Sequence, residues 1–333
     1  MCIRDSYWPN SGARSLTTSR TQALGVLLPD LFGEFFSEVI RGIDHAAREE
    51  KFQILVSSSH SDAHALVAAA RTMRGRIDGL IAMVPDDGCK REMRQLGRLF
   101  PLVLLNPRSK VTHCNTVSVA NYEGARAIVE HLLRLGNRRI AVVNGPRGNV
   151  DARERLRGYR EALRQAGIAR DPQLELQGDF TESSGFVCGL ELLRLEDRPS
   201  AVFATNDYMA IGLLRALRDA GVAVPWQMAV TGFDDIEFAR YLDPPLTTVH
   251  VDAYALGERA TQLLVRSMHS PRPQRGQHSV LPATLAVRGS CGAGEVRGAE
   301  IATTRRRRLL RNGKEDEVLA SSVASPPPRR PTS

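Results

Sequence analysis

Between residues 22 and 290 the chain alternates two patterns: short unbroken apolar runs, and longer stretches in which apolar residues return every three or four positions. Residues 23–29 form a run of strand length, after which Phe35, Phe36, Val39, Ile40, Ile43, Ala46 and Ala47 recur at helical spacing. Residues 52–57, 77–84 and 101–105 repeat the strand-like run, separated by helical patterns over 62–74 and 87–98. This order predicts a βαβαβαβ unit. Its strands are continuously apolar because helices covering both faces of a parallel sheet leave no wet side.

The pattern then restarts. Helical stretches over 122–135, 152–166, 182–195 and 208–220 alternate with strand-like runs at 139–144, 174–177, 201–205 and 228–233. A run at 246–251, a helix over 253–268 and short strands within 280–287 follow. The expected fold class is α/β, with two Rossmann-like lobes built on parallel sheets, in tandem and joined by several chain crossings.

Composition narrows this further. With 333 residues, 42% of them hydrophobic and 25% charged, the chain has the balance of a globular protein of about two domains. It holds no apolar run of about 18 residues, which argues against a spanning helix. Residues 1–9 lack an apolar stretch behind basic residues and do not read as a secretory signal. Cys2, Cys89, Cys114, Cys188 and Cys291 are scattered and odd in number, without a C-x-x-C pair. That spacing suggests neither a disulfide framework nor a zinc site, and it fits a reducing cytoplasm. Net charge is +8, but residues 291–333 carry nine Lys or Arg against five Asp or Glu, which leaves about +4 on the rest. Such a small excess does not by itself argue for nucleic acid. The 291–333 stretch, with Arg305 to Arg308 and Pro326 to Pro328, has too little apolar area to offset ordering entropy and reads as a disordered basic, Pro-rich tail.

Ligands of open parallel sheets sit beyond the carboxyl ends of the strands, where helix N-termini converge. The residues just after each run are therefore the candidates: Asp30 to Phe36, Asn106, the segment from Gly145 to Arg155, Phe180, Asn206-Asp207, and Phe233-Asp234-Asp235. Carboxylates, amides, a guanidinium and aromatic faces suit a neutral, hydroxyl-rich ligand. Asp207 and Asp235, each taken alone, read as helix N-caps, and Asp30 as a turn residue. Phe36 is equally readable as core. No G-x-G-x-x-G follows a strand, and Walker, G-x-S-x-G and H-E-x-x-H motifs are missing, so an enzyme is not expected and no cofactor is implied. His60 and His64 stand four apart without a third ligand and read as surface; no metal site is expected.

Several ordered motifs resemble the LacI/GalR family of bacterial transcriptional regulators over about residues 7–290. Tyr7-Trp8-Pro9-Asn10, then Ala13-Arg14-Ser15-Leu16 and Arg20-Thr21, is similar to the end of that family's DNA-binding domain and its hinge helix. Leu24 to Asp30 with Phe35-Phe36, Gly145-Pro146 with Arg155 and Gly158-Tyr159, Thr205-Asn206-Asp207, Gly232 to Asp235 and Pro245 to Thr248 match later landmarks in order. The resemblance implies a periplasmic-binding-protein-like core with three crossovers, near 119–121, 248–252 and 281–283. It implies residues 1–21 as a remnant of the DNA-binding domain plus hinge, and 22–120 with 252–281 as the N-terminal lobe. The C-terminal lobe would be 121–251 with 282–290. Effector contacts carry over to Phe36, Asn149, Asp151, Arg155, Phe180, Asn206 and Asp234, and Asn106 joins them from its strand end. Arg155 is the anchor, and Asn149 and Asp151 hold specificity positions.

In such a protein Ala13, Arg14, Ser15 and Leu16 would lie in the operator minor groove, with Leu16 as a wedge between base steps. A segment that short, next to Gly12, orders only on DNA and against its dimer mate. Nothing in Met1 to Ser6 resembles the family's helix-turn-helix, so the sequence reads as effector core and hinge without a recognition helix. The expected partners are a small carbohydrate-like effector, operator DNA in the intact protein and a second copy of the chain, with no membrane. The alternative is the solute-binding protein of a sugar transporter, which shares the core but leaves Ala13 to Leu16 unexplained.

Overall fold

A computed structural model describes residues 20–84, 90–107, 114–270 and 276–293. The hinge residues Ala13 to Leu16 and nearly all of the basic tail lie outside the described residues. In chain order the elements are β1 (Ala23–Leu28), α1 (Glu34–Glu49), β2 (Gln53–Ser58), α2 (Ala63–Thr72), β3 (Gly79–Met83), α3 (Lys90–Leu99), β4 (Leu102–Leu105) and β5 (Asn115–Val119). Next come α4 (Asn121–Arg134), β6 (Ile140–Asn144), α5 (Val150–Gln165), β7 (Glu175–Gln177), α6 (Glu182–Leu193), β8 (Ala201–Ala204), α7 (Asp207–Asp219) and β9 (Ala229–Thr231). The last are β10 (Thr248–Val251), α8 (Ala253–His269), β11 (His278–Leu281) and β12 (Ala283–Ala286).

Among the described residues, one sheet has the order β11-β5-β4-β3-β1-β2 and a second the order β7-β6-β8-β9, every pairing in both being parallel. Both carry the unbroken burial that the apolar runs foretold: β3, β4 and β8 are buried along their whole length. The chain passes between the sheets after β5, between β10 and α8, and between β11 and β12. At these crossings β10 and β12 pair antiparallel, and bridges from Thr247 to Thr231 and from His250 to Asp234 bring β10 alongside the second sheet. The architecture is the expected α/β one.

The first sheet departs from the four strands that periodicity predicts. β5 and β11 add to it, paired in register from Thr116 with His278 to Val119 with Leu281. Asn115-Thr116-Val117-Ser118-Val119 alternates polar and apolar residues, so it lacks the continuous apolar signature used to find the other strands. Its partner lies 162 positions away: Thr116 Oγ1 and His278 Nδ1 are 2.8 Å apart.

Two helices cross nearly backbone to backbone. On α1, residues Val39, Ile43, Ala46 and Ala47 are buried, and Gly42 lies between them. A Cβ on Gly42 would stand 2.0 Å from the Tyr254 carbonyl oxygen, and one on Gly257 of α8 would stand 2.1 Å from that of Val39. The two glycines let α1 seat directly on the helix that starts at the second crossing. The start of α1 is thereby held against β10 and the crossing itself.

Candidate functional site

Polar residues converge where the second sheet ends. Asn144 closes β6, Thr205 and Asn206 follow β8, and Phe233 and Asp234 follow β9. Arg155, one turn into α5, is buried against these ends. Its Nη1 donates to the Thr205 carbonyl at 2.6 Å and its Nε to Asn121 Oδ1 at 2.8 Å. Nη2 lies 3.0 Å from Asp234 Oδ1, an ion pair whose alignment is not that of a hydrogen bond. The guanidinium stacks over the Phe233 ring, 3.8 Å from its centroid, and lies 6.0 Å from that of Phe180. A planar fork with several donors is what this set of acceptors needs.

Asp151 extends the network to the other sheet. It accepts from Asn121 Nδ2 at 2.8 Å and from Asn106 Nδ2 at 3.1 Å, and Asn106 Oδ1 in turn accepts from the Val119 amide at 2.9 Å. Asn106 ends β4, so this chain of hydrogen bonds joins the carboxyl edges of both sheets. Four of the residues that follow strands here have left-handed backbone: Asn106 (φ 45°), Phe180 (φ 72°), Asp234 (φ 110°) and Asp235 (φ 59°). Such conformations cost about 1–3 kcal/mol each and persist where the surroundings enforce them.

Burial raises the carboxyls of this site. That of Asp151 is shifted up by desolvation, with Arg155, Asn106 and Asn121 pulling it back. Asp234 is pushed up to about 6 by burial, against the pull of Arg155. Asp207 lies well above the usual carboxylate range, through burial first and then the charge of Asp234. It is not the N-cap its position suggested. Asn206 caps α7 by accepting from Met209 N, while Asp207 is fully buried and accepts from Ile236 N at 2.9 Å and Thr248 Oγ1 at 2.6 Å. Asp235 is not a cap either: it pairs with Arg288 at 2.6 Å and His250 at 3.1 Å. Asp30 does serve its turn, accepting from Leu31 N and Phe32 N.

A carboxyl held so far up makes Asp207 replaceable by its amide. Asp207→Asn keeps an acceptor for Ile236 N and a group for Thr248, and is expected to change stability by less than about 1 kcal/mol at neutral pH. Asp207→Ala strands a buried amide donor and should cost about 1–3 kcal/mol. Urea unfolding of the two variants side by side measures the difference.

Of the residues expected at the site, Asn106, Asp151, Arg155 and Asp234 fall in one network, with the Phe180 ring at its border. The Phe180 ring also covers Gly145, where a Cβ would stand 2.2 Å from it. Asn206 donates to the Phe180 carbonyl at 3.0 Å while capping α7, and Asn149 caps α5 by accepting from Ala152 N. Phe36 is half-buried on α1, edge-on to Phe35 at 5.4 Å, and does not touch the Arg155 network. Asn121 and Phe233 were missed. Asn121 is the first residue of α4 after β5, so recognising β5 would have placed it among the strand-end candidates.

A cavity of about 390 Å³ opens beside Asp234, between the start of α1, the segment after β9 and the crossing into α8. Phe35, Glu38, Arg41, Glu237, Asp252 and Tyr254 are among the residues lining it. Its two sides meet directly: the Tyr208 hydroxyl accepts from Glu34 N at 3.1 Å, and the Glu34 carboxylate accepts from Glu237 N. Phe32 leans on the Tyr208 ring at 6.2 Å. Among the described residues, no group of three or more His, Cys, Asp or Glu is arranged to hold a metal ion, and no helix is long and apolar enough to cross a membrane.

Residues 129–291 match the family model of a periplasmic binding protein-like domain. Over 287 residues the chain is 33% identical to the ribose operon repressor of Escherichia coli (strain K12), covering 86% of this chain and 87% of that protein. It is 32% identical to the HTH-type transcriptional repressor CytR of the same organism, covering 85% and 83%. Among solved structures, the lac repressor dimer bound to operator and the anti-inducer ONPF superposes with a TM-score of 0.78 at 29% identity, over 86% of this chain and 99% of that one. The transcriptional regulator CelR in complex with cellobiose gives 0.74 at 30% identity, over 86% and 92%.

Proposed function

Since the chain belongs to the LacI family of transcriptional regulators, we propose that its cleft binds a sugar or similar small polar metabolite and passes that binding to operator DNA as a repressor. The observation that carries this is the Asn106–Asp151–Asn121–Arg155–Asp234 network, which reaches the edges of both sheets at the place where open parallel sheets take ligands. Relatives that are repressors favour this reading over the solute-binding protein of a transporter. Phe36, Asn149, Phe180 and Asn206 complete the proposed effector set around the network, and Ala13, Arg14, Ser15 and Leu16 are the proposed minor-groove segment.

The N-terminal lobe is 22–120 with 252–281, and the C-terminal lobe 121–251 with 282–290. The chain works as a cytoplasmic homodimer and not as an enzyme, without cofactor or metal. A ligand shared by both sheets changes the angle between lobes, and a short hinge segment stable only on DNA responds to that change. Coupling of about 1–3 kcal/mol is enough for a 5–150-fold change in operator affinity.

The test has two parts. Calorimetry against a panel of sugars and nucleosides identifies the effector, and duplexes selected from random sequence report DNA binding with and without it. A ligand that binds but leaves duplex affinity unchanged counts against coupling. Turnover of the bound sugar would restore the enzyme reading.

The pH dependence follows from Asp234. Its folded-state value of about 6 lies above the ordinary 3.8. Its bound proton therefore stabilises the fold fully below about pH 4, a contribution lost as pH rises through about 6. A ligand hydroxyl donating to this group favours the carboxylate. Effector binding near pH 6 is thus expected to release a proton, and affinity to fall below pH 6 by at most about tenfold per unit. Titrations at pH 6 in two buffers of different ionisation enthalpy measure that release, which should vanish by about pH 8.

A further inference from the structure

Phosphate is normally held by free guanidinium groups, by lysine or by the exposed N–H groups of helix N-termini. The cleft has helix N-termini in abundance, yet each has an N–H taken by an acceptor of the protein. Tyr208 takes Glu34 N of α1, Asn149 takes Ala152 N of α5, Asn206 takes Met209 N of α7 and Asp252 takes Ala255 N of α8. Each also carries a carboxylate in its cap or first turn: Glu34, Asp151, Asp207 and Asp252 respectively. The positive ends of these dipoles are already complemented by negative charge.

The guanidiniums are committed in the same way. Arg155 is shared between Asp234, Asn121 and a carbonyl, Arg41 pairs with Glu38 at 2.5 Å, and Arg288 pairs with Asp235. The cavity beside Asp234 is lined by six carboxylates against Arg41 and Arg240, with His250. Aromatic faces, Phe35 and Tyr254, complete its wall. Acceptors, a negative field and aromatic surface suit a ligand rich in hydroxyl or amine donors, and they repel an anion.

We propose that the effector is an unphosphorylated polyol, a free sugar or nucleoside, and that the site discriminates against phosphate esters of the same molecule. This rests on the reading of the cleft as the effector site.

The test titrates the full chain with neutral pentoses, hexoses, cellobiose and nucleosides, and in parallel with ribose 5-phosphate, glucose 6-phosphate and nucleoside monophosphates. The tightest ligand is expected to carry no phosphate, and its ester to bind at least ~100-fold more weakly at low salt. The neutral ligand's affinity should be nearly independent of salt, while the ester's improves as salt screens the carboxylates. The double variant Glu34→Gln with Glu237→Gln is expected to narrow the gap about tenfold.

An ester that binds as well as its parent overturns the inference while leaving the effector cleft standing. So does an unchanged gap in the double variant. Binding by neither set overturns the cleft assignment, and the inference falls with it.

Discussion

Arg155→Ala is expected to lower stability by about 3–5 kcal/mol in urea unfolding and to weaken effector binding at least ~10-fold. The loss is not that of one hydrogen bond. Removing the guanidinium leaves Asp234, Asp151 and Asn121 facing one another in a buried place with no cation among them. Burial already holds both carboxyls above their usual range with Arg155 present, so without it they protonate or admit water. Arg155→Lys should recover only part of the loss, because an ammonium is a compact point charge and cannot span Thr205, Asn121 and Asp234 as a planar fork does. Replacing Asp151 and Asp234 by Asn in the Arg155→Ala background should restore much of the stability without restoring binding. A double-mutant cycle over these variants isolates the coupling. If Arg155→Ala proves as stable as its parent, the network does not hold the two sheet edges together.

Gly42→Val is expected to cost more than ~3 kcal/mol, read as a lower unfolding midpoint or as loss of soluble protein. A Cβ at Gly42 meets the carbonyl oxygen, the carbonyl carbon and then an amide nitrogen of α8 at 2.0, 2.9 and 3.1 Å. All three are backbone, so no rotamer change can make room, and the helices must separate. That separation reaches the site, because α1 begins with Glu34 and Phe35 at the cavity and α8 begins at the crossing with Asp252. Gly97→Ala in α3 is the contrasting case: its new Cβ meets only Leu102 Cδ2, at 3.9 Å. It should stabilise by about 0.5–1 kcal/mol, the ordinary gain of replacing glycine within a helix. Equal effects of opposite substitutions at these two glycines would remove the packing explanation.

Periodicity located most elements because burial on a helix or inside a parallel sheet is a local property of the pattern. Strand ends followed directly, and with them Asn106, Arg155 and Asp234 as candidates. The reading lost β5, whose alternating residues look like a half-exposed strand, and with β5 it lost Asn121. It mistook Asp207 for a cap because a carboxylate before a helical run has that look. The adjacent Asn206 does the capping, and Asp207 is turned inward to Thr248 and Ile236. Phe36 was an even choice between core and ligand, and its edge-on contact with Phe35 leaves it off the Arg155 network.

The amino-acid sequence by itself determined the α/β class, the doubling of the βα pattern and the placing of polar residues at the strand ends. Each of these depends on residues close together in the chain, where spacing alone sorts buried from exposed. Only the tertiary structure decided which polar groups neutralise one another: that Arg155 of α5 meets Asn121 and Asp234, and that Asn106 reaches Asp151 from the other sheet. Charge and hydrogen-bond partnership act between atoms a few ångströms apart, and residues 30 to 160 positions distant come that close only when the sheets have formed and the chain has crossed between them.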